Sequence, residues 1–172
     1  MPRPSPAYDK YVDFVYALMT HISASTMDHS LLARMFSQII FDAPSIFSGK
    51  ASAEAIRLKV ADGSYRPCAD HHNVRQNSGE RLVRLMQTPA ELTRAAVDEV
   101  MQEACSVHYV TATENQMLRK YQAAYGTQAY AAVNLSVYDT GELFTRRGRR
   151  PKEWYKDVAS QFSHILNGAS GV

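Results

Sequence analysis

The chain has 172 residues, 45% of them apolar and 21% charged, with 19 basic and 17 acidic residues for a formal charge of +2. That balance argues against global disorder and supplies enough apolar mass for a core. No apolar run approaches the ~20 residues that span a bilayer, and two cysteines without a CxxC spacing argue against a disulfide framework or a zinc knuckle.

Met1 to Pro6 alternates proline with small or basic residues and has no apolar centre of the kind a secretory signal carries. Residues 1–7 are expected to form an extended arm, because each proline disfavours helix in the residue before it. Tyr8, Tyr11, Val12, Val15, Leu18, Met19 and Ile22 follow three- and four-residue steps and predict a first helix. Ser25 or Thr26 is a candidate N-cap for a second helix carrying Leu31, Leu32, Met35, Phe36, Ile39 and Ile40 and ending before Pro44. The two are expected to form an antiparallel hairpin. A loop from Pro44 to Lys50 and a third helix from Ala51 to Val60 come next. Asp62-Gly63-Ser64 is a turn signal, with Leu58 to Val60 and Ser64 to Arg66 as possible flanks of a short hairpin.

Cys68 to Asn77 reads as polar and irregular, followed by a helix with Leu82, Val83, Leu85 and Met86 on its apolar side. Thr88, Pro89 and Glu91 predict a capped restart, and that helix runs through Leu92, Ala96, Val100 and Ala104. Ser106 to Val110 is β-branched and aromatic and predicts a brief strand. Thr111 and Glu114 form a second capping box, opening a helix through Met117, Leu118, Tyr121 and Tyr125 that Gly126 ends. Val133 to Val137 alternates and predicts another strand. A last helix has Trp154, Val158, Phe162 and Ile165 in register, and residues 168–172 are expected to fray. The expected architecture is mainly α, an α+β fold with a small hairpin or short sheet, in one domain over residues 8–167.

Two segments carry the functional expectations. Thr145 to Lys156 holds six of the nineteen basic residues and one of the seventeen acidic ones, so its charge is +5 and the remainder of the chain sums to −3. Clustered arginines release counterions from a nucleic-acid backbone, which makes Arg146, Arg147, Arg149, Arg150 and Lys152 the candidate nucleic-acid contacts. Trp154 and Tyr155 beside them are candidates to stack on bases. Arg147-Gly148-Arg149-Arg150-Pro151 resembles the Arg-Gly-Arg-Pro core of AT-hook segments, which enter the minor groove. Arg150 is the departure from that core.

The second segment is Cys68 to Glu80. Asp70 is a candidate ligand for Mg²⁺ or Mn²⁺, His71 or His72 a candidate general base or ligand, and Arg75 a candidate phosphate clamp. The amides of Ser78, Gly79 and Glu80 would face an anion if they opened a helix. Asp70-His71 resembles the Asp-His pair of small ββα-metal nucleases, a family whose next helix supplies a further His or Asn ligand. Asn77 arrives early for that spacing, and it also reads as an N-cap with Glu80 reaching back. Glu114 is a second candidate metal carboxylate, alongside its capping role.

The sequence contains no GxSxG, Walker loop, GxGxxG or HExxH, and no His-Asp dipeptide. The expectation is therefore a small cytoplasmic protein that acts on nucleic acid without a membrane partner. In its catalytic form it is a divalent-metal-dependent nuclease. The alternative is a non-catalytic helical binding module, either a nucleic-acid-binding regulator or a protein-interaction adaptor.

Overall fold

The computed structural model describes residues 5–22, 27–71, 75–144 and 151–168. In chain order these residues form α1 (Pro6–His21), α2 (His29–Asp42), β1 (Ile46–Ser52), α3 (Ala53–Ala61), β2 (Cys68–His71), α4 (Arg75–Gln87), α5 (Arg94–Cys105), β3 (Ser106–Val110), α6 (Ala112–Tyr125), a 3-10 turn at Gly126–Gln128, α7 (Ala129–Ala132), β4 (Val137–Asp139), α8 (Lys152–Gln161) and α9 (Ser163–Gly168). The fold is mainly α with a small sheet, an α+β arrangement. The described residues group into two compact units, one of residues 5–46 and 71–107, the other of residues 47–70 and 108–168.

The first unit is helical. Ser5 caps α1 by accepting from the Tyr8 amide at 3.3 Å, with Pro6 in the first turn, where its missing N–H loses nothing. The helix buries Tyr8, Val12, Val15 and Met19 on one face. The cap of α2 is Asp28, whose Oδ1 accepts from the Leu31 amide at 3.0 Å. Ser25 and Thr26, the expected caps, lie outside the described residues. Leu32, Phe36 and Ile40 of α2 join Leu82, Val83 and Met86 of α4 and Val97, Val100, Met101 and Ala104 of α5 in one core. Each such side chain removed from water contributes roughly 1.5–3 kcal/mol.

The closest helix pairing in this unit is α2 with α4, and both α4 and α1 also pack on α5, in place of an α1–α2 hairpin. Gly79 is the reason for the first. A Cβ at that position would lie 2.3 Å from the Ala33 carbonyl oxygen and 2.3 Å from Ser37 Oγ, so only glycine allows this approach. Helices α1 and α2 still meet at Tyr11, whose hydroxyl donates to the Ile39 carbonyl at 2.7 Å. The helix expected to restart at Thr88 begins at Arg94, capped by Thr93, which accepts from the Ala96 amide at 3.1 Å. Thr88 to Glu91 is instead a turn, with the Glu91 amide donating to the Thr88 carbonyl at 2.8 Å.

The second unit is built on a sheet of order β2-β3-β1-β4. Strands β1 and β4 are antiparallel, with Lys50 opposite Asp139, Ala51 opposite Tyr138 and Ser52 opposite Val137. Side chains alternate across a strand, and neighbouring pairs on β1 and β3 show it. Phe47 stacks on Tyr109 with centroids 4.1 Å apart, while the adjacent Ser48 meets His108. The aromatic pair joins Ala55 and Ile56 of α3 and Val158, Phe162 and Ile165 of α8 and α9 in one cluster. Val110 and Cys68 pack with Leu118 of α6 and Ala129 of α7 in another.

Two strands fall where the sequence predicts loop. Strand β1 replaces the loop from Pro44 to Lys50 and delays α3 to Ala53. Its Gly49 carries φ +86°, and the Gly49 carbonyl accepts from both the amide and the hydroxyl of Thr140 at 2.9 Å. Strand β2 occupies Cys68 to His71 in the segment read as irregular. No hairpin flanks Asp62-Gly63-Ser64, since Leu58 to Val60 are inside α3; the turn itself forms, with the Ser64 amide donating to Asp62 Oδ1 at 2.8 Å. Strand β4 starts at Val137, because Val133 and Asn134 form a turn with Asn134 at φ +53°. No helix among the described residues is long and apolar enough to cross a membrane.

Candidate functional site

Glu114 occupies the N3 position of α6. Its Oε2 accepts from the Thr111 amide at 2.7 Å, while Thr111 Oγ1 accepts from the Glu114 amide at 3.2 Å, which completes the capping box. The same Oε2 takes a further bond from the hydroxyl of Ser52 at 2.6 Å. Ser52 is fully buried and is itself the cap of α3, accepting from the Ala55 amide at 3.1 Å. One carboxylate thus ties two helix N-termini together. A negative charge there also complements both helix dipoles.

Asp70 is 4% exposed on β2. Its Oδ2 accepts from the Tyr130 hydroxyl at 2.7 Å, and the Gln122 amide nitrogen lies 3.1 Å from Oδ1 and 3.3 Å from Oδ2. Gln122 belongs to α6 and Tyr130 to α7, so the carboxylate fastens both helices to the sheet. Burial, and then the bond to Asp70, push the Tyr130 phenol well above its ordinary range, which keeps its proton in place as the donor. Glu114 acts on the same phenol through space.

The polar cluster continues past Tyr130. The His108 ring meets the Tyr130 ring edge-on with centroids 5.5 Å apart, and His108 Nδ1 lies 2.7 Å from Ser48 Oγ. Contacts therefore run from Asp70 on β2 through Tyr130 to His108 on β3 and Ser48 on β1. No local sequence pattern marks Tyr130, His108 or Ser48 as members of one cluster. Their association comes from strand neighbours 60 residues apart, for which a linear pattern holds no signal.

The remaining sequence candidates are placed as follows. His71 ends β2 and groups with the helical unit, where its Nε2 lies 3.4 Å from Ser45 Oγ. His72 lies outside the described residues, and Arg75 opens α4 without a described side chain. Ser78, Gly79 and Glu80 do not open that helix: it starts at Arg75, and Ser78 and Gly79 are buried in its second turn. Only about four N–H groups at a helix start lack intrahelical partners, so the amides of Gly79 and Glu80 are not an anion cradle. Asn77 likewise sits inside the helix and is not its cap. Among the described residues no group of three or more His, Cys, Asp or Glu is placed to hold a metal ion. Cys68 and Cys105 are not joined in a disulfide.

Arg146, Arg147, Arg149 and Arg150 lie outside the described residues, and Lys152 opens α8 without a described side chain. Trp154 and Tyr155, expected beside them as stacking residues, pack into the cluster of α3, α8 and α9. The Tyr155 ring fills the space over Gly63 and its hydroxyl donates to the Gly63 carbonyl at 3.3 Å. Comparison with protein-family models, curated proteins and solved structures returns no match.

Proposed function

We propose that this chain is a nucleic-acid-binding module that grips the phosphate backbone through Arg146, Arg147, Arg149, Arg150 and Lys152 and does not cut it. The reading begins with charge: +5 over twelve residues in a chain whose remainder sums to −3. Such a cluster supplies salt-sensitive affinity for any phosphate backbone, whatever its sequence. It carries with it a cytoplasmic setting, in which Cys68 and Cys105 stay reduced.

The observation that favours binding over hydrolysis is the state of Asp70. A carboxylate that ligates Mg²⁺ or Mn²⁺ presents its oxygen lone pairs to the ion. Those of Asp70 are directed to Tyr130 and Gln122 in a nearly solvent-free position. Glu114 is committed in the same way to Ser52 and Thr111. Both carboxylates are accounted for as fasteners of the sheet unit.

The test is incubation of labelled plasmid, single-stranded DNA and RNA with the protein in Mg²⁺, Mn²⁺ or EDTA. Intact substrate is expected in all three, with a mobility shift that weakens as salt rises. Cutting that requires metal and disappears in His71→Ala/His72→Ala would overturn the binding-only reading in favour of a nuclease. Neither cutting nor a shift would remove nucleic acid as the partner and leave a protein-interaction adaptor.

A further inference from the structure

Helix α6 leaves an aromatic stripe in water. Met117 is 40% exposed, Tyr121 40% and Tyr125 51%. Their four-residue spacing puts them on one helix face, over a length of about 12 Å at 1.5 Å per residue. Tyr121 and Tyr125 are stacked, with ring centroids 5.8 Å apart and planes 28° from parallel. The adjacent face of the helix is committed inward, through buried Leu118 and through Gln122 on Asp70. The exposed tyrosines are therefore surplus to the packing of this unit.

The stripe is bordered by a cation. Lys120 is exposed and adjoins Met117 at the i+3 position, while Arg119, two residues from both Met117 and Tyr121, is exposed on the far side of the helix. The one acidic residue of α6 is Glu114, whose carboxylate is bonded to Ser52 and to the Thr111 amide. Exposed aromatic rings beside Lys120, with no further carboxylate on α6, match the two needs of a single strand: a π-face for the base and positive charge for the phosphate. In a duplex the bases are already stacked on one another and offer no face to such rings.

We infer that the Tyr121–Tyr125 face of α6 is a stacking platform for unpaired nucleobases. The inference rests on the nucleic-acid reading proposed above and names the form of nucleic acid that this chain prefers. The two tyrosines hold bases without sequence preference, because every base has a π-face, and Lys120 attracts an adjoining phosphate. This replaces Trp154 and Tyr155, which are partly buried against the core of the sheet unit, as the stacking surface of the chain.

The test is fluorescence anisotropy with a labelled mixed-sequence 12-mer, single-stranded and as its duplex, against the full-length chain. Tyr121→Ala/Tyr125→Ala is expected to weaken single-strand binding at least tenfold, since each stacked base is worth about five- to a hundredfold. Duplex binding and its salt dependence are expected to stay as in wild type. Tyr121→Phe/Tyr125→Phe keeps the rings and is expected to keep the affinity. Tyr121→Leu/Tyr125→Leu keeps apolar area without a π-face and is expected to lose it. Circular dichroism verifies that each variant is folded. Unchanged single-strand affinity in both the Ala and Leu pairs, with wild type still binding, would overturn the platform and leave the basic-run reading standing. Equal loss on single strand and duplex in folded protein would also overturn it. Failure of wild type to bind either form would remove both readings together.

Discussion

Gly79→Ala is expected to lower the melting temperature of this protein, although the same change inside an exposed helix stabilises. Alanine is favoured over glycine in a helix interior by about 1 kcal/mol. Against that stands the contact between α2 and α4. The new methyl would lie 2.3 Å from the Ala33 carbonyl oxygen, 2.3 Å from Ser37 Oγ and 3.0 Å from the Ser37 amide nitrogen. Two of these three atoms are backbone and cannot rotate away, so relief requires the two helices to separate. Ala33, Phe36, Leu82 and Val83 all pack in the core these helices share, and separation loosens all of them. Overpacking of this kind costs about 1–3 kcal/mol, occasionally more. The expected net loss is about 1–2 kcal/mol, a fall of roughly 2–8 °C in a thermal melt for a chain of this size. A melting temperature equal to or above that of wild type would contradict the close approach, and would revive Ser78 to Glu80 as an open helix start.

Asp70→Ala is the second large effect. Removing the carboxylate takes the acceptor from the Tyr130 hydroxyl, and one acceptor from the Gln122 amide, in a nearly dry position. Hydrogen bonds to a charged group contribute about 1.5–3 kcal/mol, and an orphaned buried donor adds a desolvation cost of similar size. The expected destabilisation is about 3 kcal/mol. Asp70→Asn keeps one carbonyl acceptor and exchanges the other for a donor, so a smaller loss is expected from it. Tyr130→Phe removes one bond and should fall below Asp70→Ala. Chemical denaturation of the three variants measures the order directly. A catalytic metal ligand behaves otherwise: without its metal it is a strained charge, and its removal leaves stability unchanged or raised. Asp70→Ala protein as stable as wild type would therefore argue for a ligand and against a fastener.

The helices were legible because their signals are local. The three- and four-residue steps of Tyr8, Val12, Val15 and Met19 mark a buried face whatever it packs on, and Thr111 with Glu114 caps α6 from within four residues. Competing caps were harder to rank. Thr88 with Glu91 carries the fuller box pattern, yet Thr93 opens α5, and Thr88 to Glu91 closes as a turn. The strands were legible only where β-branched and aromatic residues cluster, as in β3. Strand β1 contains a glycine at φ +86° and β2 reads Cys-Ala-Asp-His, so neither carries an alternating pattern, and both owe their form to partners far along the chain. The same distance hid the polar cluster. Asp70 was singled out for its position beside two histidines, whereas its partners are Gln122 and Tyr130, 52 and 60 residues away. Gly79 is one of three residues whose amides would face an anion if they opened a helix. The helix starts four residues earlier, and the glycine serves packing.

The most direct test of the binding function compares wild type with Arg146→Ala/Arg147→Ala/Arg149→Ala/Arg150→Ala on a labelled duplex, with affinity measured from 50 to 200 mM salt. Each duplex phosphate contact contributes about −0.9 to the slope of log affinity against log salt. The variant is expected to bind more weakly at low salt, with a slope shallower by up to about 3.6. Equal affinity and equal slope in the two proteins would contradict the claim that this arginine cluster holds the phosphate backbone.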